Sequence, residues 1–204
     1  MRLISGSAGG IPLEVPKSVT RPTQDRVRQA VFNMLGDVSG LRVLDLFAGS
    51  GALGLECLSR GATAALLVDQ DRGACETIRR NLAKTRLQGG QVRPGDVFKL
   101  LTQLAREGLC FDLVFADPPY AHRPDEPDLS AKLLATPELW DLVTAGGSLV
   151  VESLARRGAP ANWPPWERVR DRDYGTTRIV WLRKSEDPAA AGFTVTTPPA
   201  ARAE

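Results

Sequence analysis

Asp45-Leu46-Phe47-Ala48-Gly49-Ser50-Gly51-Ala52-Leu53-Gly54 lies between an apolar run, Arg42–Phe47, and an amphipathic stretch, Gly51–Arg60. Strand, glycine turn and helix in that order open a βαβ unit. Gly49 and Gly51 allow a tight turn whose backbone N–H groups approach a ligand closely, and Gly54 lets the helix pack closely on the sheet. The G-x-G-x-x-G spacing alone is shared with dinucleotide enzymes. Asp45 shifts the choice. A carboxylate beside the turn repels a diphosphate at the helix N-terminus, whereas a cationic or zwitterionic ligand gains from it. The loop therefore favours S-adenosylmethionine, held through its amino group, with Asp45, Phe47, Ala48, Gly49, Ser50, Gly51 and Gly54 as contacts.

Outward from this turn, short apolar runs alternate with longer amphipathic ones. Strands are predicted at Arg42–Phe47, Ala64–Asp69, Gln91–Pro94, Phe111–Ala116 and Ser148–Glu152, and helices at Gly51–Arg60, Arg72–Leu87, Val97–Glu107 and Pro127–Val143, the last broken at Pro137. That is an α/β chain with an open, doubly wound sheet and ligands at the carboxyl ends of its strands. Arg168–Arg172 and Tyr174–Leu182 read as a terminal antiparallel hairpin, and Thr23–Leu35 as a helix before the sheet, with Thr23 at its N-cap. The opening residues are a short strand pair or an irregular arm. Asp69 closes the second strand 20 residues after Gly49, where an acid accepts both ribose hydroxyl hydrogens. Asp71 competes for that role or caps the next helix. Asp96 accepts from the adenine amino group or is a helix N-cap.

The fourth strand runs into Asp117-Pro118-Pro119-Tyr120. Two prolines stiffen the exit and donate no N–H, so the Asp117 carboxylate and the Pro118 carbonyl present fixed acceptors. Such acceptors suit a planar amino group, holding its two hydrogens while its lone pair develops toward a methyl group, with Tyr120 stacked on the ring. Pro119 completes the rigid turn, and these four residues form the expected catalytic set. His122 lies in a polar, proline-broken loop and reads as a surface histidine, not a base; Arg123 beside it is a phosphate contact. Trp163 and Trp166 read as local packing.

The chain has 204 residues, 43% hydrophobic and 25% charged, with mean hydropathy −0.16, which fits one soluble core and excludes a largely disordered chain. No stretch is apolar enough to span a membrane, and the N-terminus lacks a signal-peptide pattern, so a cytoplasmic location is expected. Cys57, Cys75 and Cys110 lack metal or redox spacing, so no metal is expected. The net charge of +2 is uneven: residues 1–42 carry +3, 43–155 carry −4, 156–184 carry +5 and the last twenty −2. Basic ends folded onto one side would present a phosphate-binding face. From 185 onward Ala, Pro and Thr dominate, and a disordered tail is expected.

With these motifs in hand, the chain to about Lys184 resembles the RsmD family of bacterial ribosomal RNA methyltransferases. The resemblance extends beyond Asp45–Gly54 and Asp117–Tyr120. It includes Ile4-Ser5-Gly6, the block Thr20-Arg21-Pro22-Thr23-Gln24-Asp25-Arg26-Val27-Arg28-Gln29-Ala30-Val31-Phe32-Asn33, the run Leu55–Ala62, and Tyr174-Gly175-Thr176-Thr177. It implies a class I, Rossmann-like methyltransferase of residues 1–184: an extension over 1–40 and a core over 41–184 with a seven-stranded, mostly parallel sheet ending in antiparallel strands. It further implies methyl transfer from S-adenosylmethionine to N2 of guanine 966 in 16S rRNA, within an assembling small subunit, by a monomer. Family members usually carry basic residues after Ile-Ser-Gly, whereas Ser7–Pro12 is neutral here. RNA contact therefore shifts to Arg21, Arg26, Arg28, Arg123 and the basic C-terminal stretch. Alternatives sharing the amino-group motif are a DNA adenine-N6 or protein glutamine-N5 methyltransferase. A non-catalytic RNA-binding assembly factor is another class, and Asp45 with Asp117–Tyr120 argues against a nicotinamide oxidoreductase.

Overall fold

Continuous apolar runs make the central strands. In β1 (Arg42–Leu46), β2 (Ala64–Asp69) and β4 (Phe111–Ala116) burial is nearly unbroken along the strand, as parallel strands covered on both faces require. The structure, a computed structural model, describes residues 1–16, 25–120, 123, 125–155 and 165–185. With β3 (Gly90–Pro94), β5 (Val143–Leu154), β6 (Trp166–Tyr174) and β7 (Thr177–Lys184), these strands form a seven-stranded sheet of order β3-β2-β1-β4-β5-β7-β6. The first five run parallel, and β7 pairs antiparallel with both β5 and β6.

The helices cover both faces. Val43, Leu67, Leu113, Phe115, Val150 and Ile179 point to one side, beneath α1 (Asp25–Leu35), α2 (Ala52–Ser59) and α3 (Arg72–Thr85). Leu44, Leu46, Val114, Val151 and Val180 point to the other, beneath α4 (Val97–Arg106), α5 (Leu129–Leu134) and α6 (Pro137–Leu142). The stretch over Pro127–Val143 breaks before Pro137, as the sequence suggests, into two short helices. Asp128 caps α5 by accepting from Ser130 N at 3.0 Å and Ala131 N at 3.1 Å, and Pro137, which cannot continue a helix but starts one well, opens α6. Val143 already belongs to β5, which extends beyond Ser148–Glu152 at both ends.

Of the two forms the sequence allows for the N-terminal segment, the short strand pair is present in its smallest form. One antiparallel bridge, Arg2 with Pro12, closes a tight loop. The buried Glu56 carboxylate of α2 accepts from Ile4 N at 2.7 Å and Ser5 N at 3.0 Å, while Arg60 Nε donates to it at 2.7 Å. Gly6 lies at φ +81°, and a Cβ there would stand 1.8 Å from the Ser59 carbonyl oxygen. The Ile-Ser-Gly motif is thus a clasp on the end of α2, with glycine required by contact as well as by φ.

Trp166 packs edge-on against Trp140 at 5.1 Å between ring centroids, the local packing expected of it, while Trp163 lies outside the described residues. Cys57 and Cys75 are buried, but Cys110 is only half-buried. Ser185, placed in the tail by composition, is buried; the rest of that tail, from 186, lies outside the described residues. Among the described residues no helix is long and apolar enough to cross a membrane, and no His, Cys, Asp and Glu side chains cluster as metal ligands.

Candidate active site

The strand order reverses between β1 and β4, and at such a switch point the connections leave toward opposite faces and open a crevice at the carboxyl ends. Leu46 and Ala116, the last residues of these strands, are in register, and Asp117 N donates to the Leu46 carbonyl at 3.4 Å. The glycine loop and the Asp-Pro-Pro-Tyr turn therefore leave the sheet side by side.

Three residues of the glycine loop adopt left-handed backbone: Phe47 at φ 60°, Gly49 at 56° and Gly51 at 76°. For Phe47 this costs on the order of 1–3 kcal/mol and is held by the bonds around it. Ala48 N donates to the Val68 carbonyl at 2.9 Å, Gly51 N to the Ala48 carbonyl at 2.7 Å, and Gly49 N to Asp69 Oδ2 at 2.8 Å. Asp69 Oδ1 accepts from Asp71 N at 2.8 Å, so one carboxylate ties the first loop to the second. Each of its oxygens keeps a further lone pair, which leaves Asp69 able to accept ribose hydroxyls as the sequence suggests. A Cβ on Gly54 would lie 2.9 Å from Leu67 Cδ2 and 3.1 Å from Asp45 Oδ2, which is why α2 sits so close to the sheet.

Asp45 lies beneath the turn, 2% exposed, and its Oδ2 accepts from Gly54 N at 2.9 Å. Burial pushes its carboxyl up to about 7, opposed by the Gly54 bond and reinforced by the charge of Asp69. Its immediate work is to hold the start of α2. Asp71 and Asp96 both cap helices, which does not exclude the ligand contacts that the sequence also offers: Asp71 accepts from Gly73 N at 3.0 Å at the head of α3, and Asp96 from Lys99 N at 3.0 Å at the head of α4.

At the reactive end Asp117 is half-buried, Pro118 buried, Pro119 exposed and Tyr120 half-buried. The Tyr120 hydroxyl donates to Glu152 Oε1 at 2.6 Å and lies 3.4 Å from Thr177 Oγ1. Burial, then the Glu152 charge and that hydrogen bond, raise the phenol far above its ordinary value, so Tyr120 is a neutral donor tethered at its tip. Glu152, at the end of β5, and Thr177, just past the Tyr174–Thr176 turn, position the aromatic ring. The sequence assigns neither of them a role at the site. Asn81 of α3 escapes it as well: buried, it accepts from Glu14 N at 2.8 Å and donates to the Glu14 and Ser50 carbonyls, each at 3.0 Å, joining the N-terminal segment to the glycine loop. The available signal is a polar residue on the apolar face of a helix.

The arginines expected at RNA divide. Arg26 is exposed on α1. Arg28 is fully buried, its Nη2 donating to the Arg2 carbonyl at 2.6 Å and to Asp25 Oδ1 at 2.7 Å, which removes it from the RNA-contacting surface. It faces inward because Val31 and Phe32, three and four residues on, occupy the same buried stripe. Arg123 is exposed but its Nε already donates to Glu126 Oε1 at 2.9 Å. Arg21 and His122 lie outside the described residues.

Comparison with known proteins follows the same outline. The family model described as conserved hypothetical protein 95 matches residues 1–183. YlbH of Bacillus subtilis (strain 168), whose name assigns it provisionally to the rRNA methyltransferases, is 37% identical over 187 residues, covering 90% of this chain and 99% of that one. Ribosomal RNA small subunit methyltransferase D of Escherichia coli (strain K12) is 42% identical over 122 residues, 59% of this chain and 60% of that protein. Among solved structures, the Escherichia coli protein yhhF, described as a methyltransferase on provisional grounds, superposes with TM-score 0.75 at 31% identity over 92% of this chain and 99% of that one. The Thermus thermophilus protein TTHA0928 does so with TM-score 0.75 at 34% identity over 89% and 98%. The fold is the Rossmann-like fold of class I methyltransferases, and the chain belongs to the conserved hypothetical protein 95 family, the RsmD family that its motifs resemble.

Proposed function

We propose that this chain methylates the exocyclic N2 amine of guanine 966 in 16S rRNA, acting as a monomer on an assembling small subunit with S-adenosylmethionine as donor. One observation carries the reading. The turn bearing Asp117 and Tyr120 leaves the sheet next to the glycine loop, where the strand order reverses between β1 and β4. The acceptors around that crevice, Asp69 and Asp117, with the Asp45 carboxyl buried beneath the turn, suit hydroxyls, amino groups and cationic centres and would repel a diphosphate. That donor set fits S-adenosylmethionine, with the Phe47–Gly51 loop and Asp69 to hold it. When bound, this cofactor supplies an electrophilic methyl carbon on a sulfonium sulfur.

The protein's share is orientation and charge. Asp117 and the Pro118 carbonyl accept the two amino hydrogens and aim the nitrogen lone pair; Tyr120, fixed by Glu152 and Thr177, offers its ring to the base. As the nitrogen gains positive charge its proton becomes acidic, and Asp117 or water takes it. The names of the two rRNA methyltransferase relatives support rRNA over DNA or protein as substrate. An unpaired or extruded guanine reaches such a pocket without strand opening by a separate domain.

The test is transfer of labelled methyl from S-adenosylmethionine to small-subunit particles, to their assembly intermediates and to DNA. Label is expected in the particles or intermediates, with Asp117→Ala losing on the order of 100- to 1000-fold in rate while cofactor binding persists. Label in DNA alone overturns the substrate, and an Asp117→Ala protein as active as wild type overturns the mechanism.

A further inference from the structure

Resting on that reading, we infer that one face of the β6–β7 ribbon, carrying Arg170, Arg172 and Arg183 around Trp181, is the docking surface for the RNA phosphate backbone. The inference comes from a register shift. Strict alternation along β6 would place Arg168, Arg170 and Arg172 on one face. The pairing instead jumps: Arg168 sits opposite Leu182, whereas Arg170 sits opposite the very next residue, Trp181, with Val169 as the extra residue of a bulge.

The bulge sorts the charges. On the side shared with Leu182 and Val180 it collects Arg168, Asp171, Asp173 and Arg178. There Arg178 pairs closely with Asp171 through Nε at 2.7 Å and through Nη2, Arg168 Nη1 lies 3.8 Å from Asp171, and Arg178 Nε lies 3.8 Å from Asp173. These two cations and two anions offset each other, and Lys184, the third cation on that side, donates to the Trp140 and Val143 carbonyls, each at 2.7 Å. On the other side, shared with Trp181 and Ile179, it leaves Arg170 and Arg172 exposed, with no ion pair or hydrogen bond among the described residues. Arg183, also exposed, lies on the same side, its guanidinium 5.9 Å from the Trp181 ring centroid. Glu167, opposite Arg183, is the one acid of the ribbon on this face, and it stands at the end away from the crevice.

The patch is continuous with the candidate active site. Arg172 pairs with Ile179, and Ile179 pairs with Glu152, the acceptor of the Tyr120 hydroxyl. Arg170 lies one row further, opposite Trp181 and level with Val150, about 7 Å along the strand. A row of unpaired guanidiniums starting beside the base pocket matches a polyanion that enters that pocket, and arginine grips phosphate in a two-pronged way. Arg170, Arg172 and Arg183 are all exposed among the described residues.

The test compares wild type with an Arg170→Gln, Arg172→Gln, Arg183→Gln triple variant, with Arg168→Gln as the control from the neutralised face. Binding to small-subunit particles from cells lacking the protein is measured against salt. Three phosphate contacts contribute about 2–3 to the slope of log affinity on log salt, so between about 50 and 200 mM salt wild type should lose roughly 20- to 40-fold more affinity than the triple variant. The triple variant should raise KM for particles with kcat and cofactor affinity unchanged, and Arg168→Gln should keep the wild-type slope. Equal slopes for wild type and triple variant overturn the patch while leaving the methyltransferase reading intact. Particles that bind wild type with the steep slope yet accept no methyl overturn the proposed function and leave the patch standing.

Discussion

Replacing Asp45 by asparagine separates the two jobs assigned to this carboxylate. The amide oxygen still accepts from Gly54 N, so the turn keeps its bond, but the group no longer ionises. In the folded chain burial raises the Asp45 carboxyl from 3.8 to about 7, roughly 3 units, or about 4 kcal/mol of preference for the protonated form. The sign follows from which state loses its proton first. The unfolded chain ionises near 3.8, so between that pH and about 7 the folded chain holds the extra proton and stability falls as pH rises; above about 7 the full penalty is in place. The Asp45→Asn variant carries no such penalty. Titrations shared by both proteins cancel in the difference, so in urea unfolding the variant should gain about 2–3 kcal/mol on wild type between about pH 5 and pH 8. Calorimetry with S-adenosylmethionine supplies the functional half: affinity for this cationic ligand should rise with pH in wild type up to about 7 and be weaker and flat in the variant. Parallel pH dependence of the two proteins in both assays refutes the reasoning.

Three further outcomes are expected. Tyr120→Phe removes a hydrogen bond to a buried carboxylate, worth about 1.5–3 kcal/mol, so kcat should fall roughly 10- to 100-fold with cofactor affinity kept; Glu152→Gln, which still accepts from the phenol, should be milder, and equal losses in steady-state kinetics contradict a positioning role. Gly6→Ala drives a Cβ into the Ser59 carbonyl and strips the N–H donors from Glu56, so thermal unfolding should show a loss on the order of 3 kcal/mol, and a wild-type Tm contradicts the clasp. Arg28→Met fills the same buried space without a guanidinium whose Nε and Nη1 have no partner among the described residues; stability should be unchanged or higher and the salt slope of particle binding unaltered, whereas a reduced slope would restore Arg28 to the RNA-contacting surface.

The sequence disclosed the parallel half of the sheet because apolar runs, glycine turns and amphipathic stretches recur with local periodicity. It disclosed the crevice because both motifs sit at strand ends. What it concealed depends on pairing. Alternation cannot foresee that a bulge at Val169 sends Arg168 to a different face from Arg170 and Arg172. Glu152 and Thr177 are 25 residues apart and meet at Tyr120 only because β7 returns beside β5. Arg28 turns inward because its i+3 and i+4 neighbours are apolar core residues and the Arg2 carbonyl accepts its guanidinium, a burial that the apolar spacing of Val31 and Phe32 makes legible in the sequence. Asp71 and Asp96 are open between ligand and cap in the sequence, and short bonds from the second and third residues after them establish the cap through one carboxylate oxygen each.

The most direct measurement is mass mapping of 16S rRNA from cells with and without this gene, complemented by wild type or by Asp117→Ala. The account predicts one guanine methyl mark, at position 966, absent without the gene, restored by wild type and not by the variant. Guanine 966 still fully methylated in cells lacking the gene contradicts it.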